Sequence, residues 1–379
     1  MSAANKLVPE LRFPEFLGDG EWEAFTVDEL FKSLATRNHQ VPSSAICTSG
    51  NYPVVDQGKA IVAGYSDCRE RLFKKVPVIV FGDHTTVTKF IAFEFIVGAD
   101  GIKILQKKRS QDSIHFLFHS LECFKMAQEV YKRHFSILRS VAIPLPTSPA
   151  EQQKIADCLG SLDALLAAHS RKLAALQDHK KGLLQQLFPA EGETTPKRRF
   201  LGFEGEWDAT SLGVACLMKA GKFVKASEIR EQTEDKLYPC FGGNGLRGYT
   251  STYTHDGDYP LIGRQGALCG NVQLASGRFH ATEHAVVADP RKNVKTDWIF
   301  YALILLNLNQ YATGQAQPGL SVDVLNRVPL AIPTLSEQQK IADCLSALDV
   351  TITAQTGKIA ALKEHKKGLM QKLFPSETK

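Results

Sequence analysis

The chain has 379 residues, 44% of them apolar and 22% charged, with a formal net charge of +5. At about 150 residues per domain this length predicts two to three domains, and the apolar share is enough to build real cores, which excludes a disordered chain. The longest apolar stretch, 299–308, is far shorter than the roughly 20 residues of a membrane-spanning helix. Met1 to Glu10 hold no basic start followed by an apolar core, so no secretory signal is read and a cytoplasmic location is expected. The eight cysteines form no C-x-x-C pair, which argues for reduced thiols over a zinc ribbon or a redox dithiol. The charge is a mild lean toward polyanions and names no partner by itself.

Residues 1–21 lead into a first block, 22–147. Short β-branched runs bounded by Gly, Asn and Asp, such as Val76-Pro77-Val78-Ile79-Val80, predict strands of an irregular mixed sheet, with one helix near 113–130. A long helix is predicted over 148–188. Its positions 155, 159, 162, 166, 169, 173, 176, 180, 183 and 187 step by four and three, and all but His169 and Lys180 are Ile or Leu. Such a strict heptad stripe marks a coiled-coil seam that needs a partner helix. Ser148-Pro149-Ala150-Glu151 reads as a capping box with proline at the first helical position, and Pro189 stands just past the last seam residue.

A polar linker, 189–206, opens a second block at 207–334, again strands with one helix near 295–310. A second long helix, 335–374, carries the seam Ile341, Leu345, Leu348, Ile352, Gln355, Ile359, Leu362, Lys366, Leu369 and Leu373 after the capping box Thr334-Leu335-Ser336-Glu337. Residues 375–379 form a tail.

The order block, helix, block, helix is a duplication. Residues 151–191 recur at 337–377 with 26 identities in 41 positions. A fainter echo links Arg12-Phe13 and Gly20-Glu21-Trp22 with Arg199-Phe200 and Gly205-Glu206-Trp207. A helix of this size is about 55 Å long, whereas a block has a radius of gyration of about 14 Å. A block cannot carry the chain back along such a rod, so the helices are expected to be antiparallel. His169 with Gln355, and Lys180 with Lys366, break the seam and either fix its register or snorkel at its edge. The expected fold class is α+β: two blocks of mixed α/β type joined by two long antiparallel coiled-coil helices, pseudo-twofold symmetric.

Three segments carry a family resemblance: Lys6 to Phe16 with Gly20-Glu21-Trp22, the run Gly314-Gln315-Ala316-Gln317-Pro318-Gly319-Leu320-Ser321, and Ile332-Pro333 with Glu337-Gln338-Gln339-Lys340-Ile341. They make the chain resemble, over nearly its whole length, the specificity subunits of type I restriction-modification systems. The resemblance implies that each block is a target recognition domain and each repeated helix a conserved spacer. It also implies that one subunit reads a two-part site on double-stranded DNA with an unread gap. The implied partners are two modification subunits, which methylate adenine with S-adenosylmethionine, and restriction subunits, which cut with ATP and Mg. No cofactor and no metal are expected in this chain, and no membrane partner. Block one departs from the family pattern, having Tyr131-Lys132-Arg133-His134-Phe135-Ser136-Ile137-Leu138 where block two has the Gly314 to Ser321 run.

Phosphates are held by cations, hydroxyls and amides, and base edges by Arg, Asn, Gln or short hydroxyls, on loops fixed by a sheet. The DNA-binding candidates in block one are His84, Thr85, Thr86 and Lys89, which follow Gly82-Asp83, and Tyr131, Lys132, Arg133 and His134. In block two they are Arg264 and Gln265, set between Gly263 and Gly266 whose missing side chains would admit a nucleic acid, with Asn271, Arg278, Gln315 and Gln317. Block one has 16 basic against 12 acidic residues and block two 12 against 11, so phosphate attraction must come from clustering or from partners.

His280-Ala281-Thr282-Glu283-His284 matches a zinc-peptidase pattern, but that chemistry needs a helix, and the flanking residues read as a strand. A DNA methyltransferase would need a glycine-rich cofactor loop and an Asn or Asp before Pro-Pro and an aromatic residue; neither occurs in the sequence. The chain is therefore expected to have no catalytic role. The remaining rival is a coiled-coil adaptor that holds two protein ligands.

Overall fold

The residues that start the long helices turn away from the helices they start. In this computed structural model, Ser148 and Thr334 accept the amides of Glu151 and Glu337, as capping residues should. The glutamates do not close the box. Both oxygens of Glu151 instead take the Arg12 guanidinium, from Nε and Nη2, at 2.7 Å. Arg199 grips Glu337 in the same two-pronged way at 2.8 and 2.6 Å. Arg12 also donates to the Asp19 and Gly20 carbonyls, and Arg199 to the Gly205 carbonyl. The faint sequence echo is thus a structural clip: the arginine fastens its segment to a helix start and sets the tryptophan behind it. Trp22 and Trp207 are both buried. Next in sequence, Gln152 accepts from the Ser113 amide and Gln338 from the Lys295 amide, each at the start of the block's helix.

The structure describes residues 7–98, 101–124, 134–266, 268–314 and 318–375. They fall into two compact units, 1–170 with 357–379, and 171–356. The first unit contains β1 (Glu23–Thr26), α1 (Val27–Leu30), β2 (Phe31–Leu34), β3 (Tyr52–Val55), β4 (Gly64–Ser66), β5 (Val78–Gly82), β6 (Thr88–Ile91), β7 (Ile96–Val97), β8 (Ile102–Lys107), α2 (Ile114–Cys123), α3 (Phe135–Arg139) and β9 (Ala142–Leu145). The long helix α4 (Pro149–Leu187) is shared by both units. The second has β10 (Asp208–Ser211), α5 (Leu212–Ala215), β11 (Cys216–Ala220), β12 (Tyr238–Gly242), β13 (Gly245–Thr250), β14 (His255–Asp256), β15 (Tyr259–Gly263), β16 (Val272–Ala275), β17 (Arg278–Ala281), β18 (Ala285–Pro290), α6 (Thr296–Leu305), α7 (Val322–Arg327) and β19 (Pro329–Ile332). The long helix α8 (Leu335–Leu373) is shared likewise.

Strand for strand, the two blocks have one topology. The antiparallel sheet β2-β8-β5-β6 matches β11-β18-β15-β16, and β4-β3-β7 matches β13-β12-β17, to which β14 adds a further strand. In both, the middle strand pairs antiparallel on one side and parallel on the other. A two-stranded ribbon, β1-β9 or β10-β19, joins the ends of each block. This mixture of parallel and antiparallel pairs, with a ten-residue helix late in each block (α2, α6) and two shorter ones, is the expected α+β class.

All ten seam positions in each long helix are buried or half-buried, none exposed. Within each unit the two helix segments run antiparallel. In the first unit Lys366 reaches Asp163 while Leu373 joins Ile155, Ala156 and Leu159 in the core with Trp22 and Phe116. In the second, Lys180 reaches Asp349 while Leu184 and Leu187 join Ile341, Ala342 and Leu345 with Trp207 and Trp298. The lysines that break the seam therefore make specific ion pairs and do not merely snorkel. Each pair combines the first copy of one residue with the second copy of the other. The block helix adds a third member. Tyr301 donates to Asp349 at 2.7 Å, and burial together with that carboxylate pushes its hydroxyl pKa up. At the matching place on α2 stands His119, whose Nδ1 meets Glu122 at 2.9 Å. Burial works against the Glu122 charge, yet the contacts with His119 and Lys366 hold its pKa below the ordinary carboxylate value.

Removing one member of a buried pair strands the other charge, at a cost of about 3–5 kcal/mol. Arg199→Ala and Glu337→Ala are each expected to lose that much in urea unfolding, the double variant less than their sum. A pH effect follows from His115, packed on Phe90 at 4.6 Å in the first unit, and from His255 in the second. Burial lowers the pKa of both, with smaller charge effects added. The unfolded chain then takes up protons first, so stability is complete above the ordinary imidazole range and falls as pH drops through it. Thermal melting followed from about pH 7.5 to about pH 5.5 should show this loss, and His115→Gln or His255→Gln should each flatten it.

Candidate nucleic-acid interface

In the second unit, four loop segments meet where β15 ends. Glycines mark the meeting, because there is no room for side chains. A Cβ on Gly263 would lie 2.1 Å from the Gly243 carbonyl, and one on Gly243 would lie 3.0 Å from that of His284. Main-chain bonds lock the rest. The Arg264 amide donates to His284 at 3.0 Å, the Arg264 carbonyl accepts from Leu320 at 2.9 Å, and the Gly266 amide donates to Pro318 at 3.1 Å. Gln265 is exposed and Arg264 half-buried, with its Nε shut away from water and, among the described residues, without a hydrogen-bond partner. Thr282, which follows β17, is fully buried with its hydroxyl unpaired among the described residues. Glu283 places one oxygen 3.2 Å from His284 Nε2 and leaves the other buried and, among the described residues, without a partner.

The expectation that Gly263 and Gly266 make room for a nucleic acid needs correction. Gly263 is required by the chain's own β12–β13 turn. Gly266 has a φ of +82° and open space around it, so backbone conformation selects it. Asn271 is exposed next to this cluster, where its carbonyl accepts from the Gly263 amide. Arg278 is not brought in: it sits at the far end of β17, paired with Asp256 at 2.9 Å and lying over Tyr253. Gln315 and Gln317 lie outside the described residues.

The first unit builds the corresponding place after β5 with different residues. The Asp83 amide donates to Gly101, while the Asp83 carbonyl accepts from the His134 amide and its carboxylate from the Phe135 amide. The bond from His134 to Asp83 is the counterpart of that from Leu320 to Arg264, so the described ends of the two segments are tied to the strand end in the same way. His84 is exposed, and its amide faces Gln57. The Thr85 hydroxyl donates to the Gln57 carbonyl at 2.6 Å, and Thr86 holds a left-handed φ of +57° with its hydroxyl on the Thr85 carbonyl.

Two candidates are corrected here. Lys89 is buried, with its ammonium on the Asp56 and Ala60 carbonyls and 3.4 Å from the Asp56 carboxylate. Burial lowers its pKa and Asp56 opposes that shift. It ties down the loop after β3 and presents no charge to a phosphate. His134 is fully buried, its Nδ1 donating to the Asp83 carbonyl. It holds the turn that carries His84. Tyr131, Lys132 and Arg133 lie outside the described residues.

The family model described as "Type I restriction modification DNA specificity domain" matches this chain twice, at residues 19–178 and 204–364. The chain belongs to that family. The specificity subunit of the type I restriction enzyme EcoprrI from Escherichia coli is 46% identical over 161 residues, 42% of this chain and 40% of that protein. The chain thus spans about two fifths of that relative. The MjaVIII specificity subunit of Methanocaldococcus jannaschii is 24% identical over 325 residues, 75% of each chain. The crystal structure of a type I S subunit from M. genitalium shares the fold, with a TM-score of 0.70 at 17% identity over 98% of this chain and 100% of that one.

In this family's terms the two blocks are target recognition domains. At the turn after the central strand the sequence named His84 to Thr86 and Arg264-Gln265, but not the neighbouring Gln57 in the first unit or Thr282, Glu283 and His284 in the second. The last three lie in a pattern that was weighed only as zinc-peptidase chemistry and set aside because its flanks read as a strand. His280 lies on β17 with Nε2 donating to the Lys222 carbonyl and Nδ1 facing the Thr252 hydroxyl, so no zinc pair forms with His284. Among the described residues, His119, Glu122 and Asp163 do come close enough to share an ion, but Lys366 already places its ammonium on both carboxylates. No helix of the described residues is long and apolar enough to cross a membrane.

Because Lys89 serves the fold, Lys89→Met is expected to cost about 1–3 kcal/mol of stability through the carbonyls it strands. The slope of DNA affinity against salt concentration should stay unchanged, as filter-binding titrations would show.

Proposed function

We propose that this chain is the DNA-reading subunit of a type I restriction-modification complex. Its two target recognition domains each address one half of a two-part double-stranded site, and the bases between the halves go unread. One observation carries the reading: the specificity-domain model matches once per repeat, on two domains of one topology whose loop residues differ. A common frame with Asp83-His84-Thr85 in one copy and Arg264-Gln265 in the other suits two different half-sites.

On this reading the chain does no chemistry of its own. Two modification subunits, supplying S-adenosylmethionine, methylate adenines in the two halves, and restriction subunits, using ATP and Mg, cut the DNA. A fold neighbour with a TM-score of 0.50 comes from a study of complex assembly in a type I system, which supports looking for such partners.

Cells carrying this chain and its modification partner should show methylated adenine in one bipartite motif. Replacing residues 207–334 with the corresponding block of another family member should change one half of that motif only. Lengthening both long helices should alter the gap and leave the halves alone. An adaptor for protein ligands would leave the methylated sequence untouched by either change.

A further inference from the structure

The loop after β3 in the first target recognition domain is held from beneath. Lys89 donates its ammonium to the carbonyls of Asp56 and Ala60, and the Asp56 carboxylate takes the Gly58 amide at 2.9 Å. Between these ties stands Gln57. Its main chain is fixed as well, since its carbonyl accepts the Thr85 hydroxyl at 2.6 Å. Its carboxamide faces the turn after β5, where Oε1 accepts from the His84 amide at 3.4 Å. The two side chains share one place: a Cβ on Gly101 would lie 2.7 Å from His84 Cδ2, and 3.0 and 3.1 Å from Gln57 Oε1 and Nε2. Solvent reaches both residues, Gln57 being half-buried and His84 exposed. A polar side chain on a loop this firmly held, and open to the outside, is what discrimination between bases demands.

The repeat offers an independent comparison. A Cβ on Gly82, at the end of β5, would lie 3.2 Å from the Gln57 carbonyl, and one on Gly263, at the end of β15, 2.1 Å from the Gly243 carbonyl, so position 57 answers to position 243. His84 and Gln265 correspond likewise, each following the residue whose carbonyl accepts from His134 or Leu320. The first copy thus has glutamine on the hairpin loop and histidine on the turn, whereas the second has glycine on the loop and an exposed glutamine on the turn. Each copy brings a carboxamide to the end of its central strand, from a different loop. Such an amide sets a donor beside an acceptor, the pattern that N7 and N6 of adenine complement in the major groove. The local charge lets DNA approach. Both nearby carboxylates are engaged, Asp56 by the Gly58 amide and Lys89, Asp83 by the Phe135 amide. Lys59, two residues on from Gln57, is exposed and supplies a cation for phosphate.

We propose that Gln57 reads one A·T pair in the half-site of the first domain, its carboxamide spanning N6 and N7 of the adenine while the His84 turn sets the orientation of the amide. This inference rests on the DNA-reading function proposed above and adds the residue and the base pair.

The test uses the full chain assembled with its modification subunits on a library of randomised sites, with methylation of every site read by sequencing. In Gln57→Glu, one position in one half should turn from A·T toward C·G, because a carboxylate accepts from the cytosine amino group and repels adenine N7, and the preference there should change by about tenfold or more. Gln57→Ala should keep the two-part motif and lose the preference at that same position alone. Neither change should affect the other half. The inference is overturned if either variant keeps every position of the motif, or slows all sites alike, which would make the amide a prop for the loop. If the unaltered chain directs no two-part motif at all, the DNA-reading function falls with it; if that motif is present and the Gln57 variants leave it unchanged, only this inference falls.

Discussion

Everything in each unit hangs on a buried guanidinium-carboxylate clasp. Arg12 on Glu151, and Arg199 on Glu337, join the segment leading into a block to the helix leading out of it. Glu151 and Glu337 are almost wholly buried, so neither charge can be left alone without a large desolvation cost. The clasp fixes the entry of the chain, the tryptophan behind it and the first turn of the long helix at one point. The adjoining glutamines extend the fastening to the start of the block helix. With both ends of a block tied to one helix start, the sheets between can be shaped by loop sequence without letting the block rotate on its stalk.

The same reasoning explains why some features were readable from sequence and others were not. The long helices and their seam announced themselves because a heptad stripe is a local pattern repeated many times. The capping boxes were only half right: Ser148 and Thr334 cap, but the glutamates serve arginines 139 and 138 residues away. No local rule contains such a partner. Lys89 and His134 failed as DNA contacts for a related reason. A basic residue near a loop reads as solvated, yet Lys89 closes a loop from the preceding hairpin and His134 props up a turn 51 residues earlier in the chain. Arg264-Gln265 was picked out because it lies between two glycines, a local pattern. His284 was passed over because its place beside Arg264 depends on the antiparallel pairing of β15 with β18, a long-range contact that periodicity does not report.

Two copies of one architecture have kept their stalks similar and let the block contacts drift. Where the second unit puts a neutral tyrosine hydroxyl on Asp349, the first puts an imidazole, a second carboxylate and the lysine around Asp163. Both arrangements satisfy the same seam lysine. The tyrosine version places a hydroxyl whose pKa burial and Asp349 push up, whereas the first unit places an imidazole at the junction of α2 and α4. Duplication preserves the geometry that must match and leaves the chemistry of each junction free.

The bond from position 134 to position 83, and its twin from 320 to 264, runs from main chain to main chain. A tie of that kind is indifferent to side-chain identity at the tip it supports. Substitutions at His84 or Gln265 can then accumulate one at a time, each leaving a folded protein behind it. A molecule built this way can change the chemistry of its loop tips in small steps without passing through an unfolded ancestor.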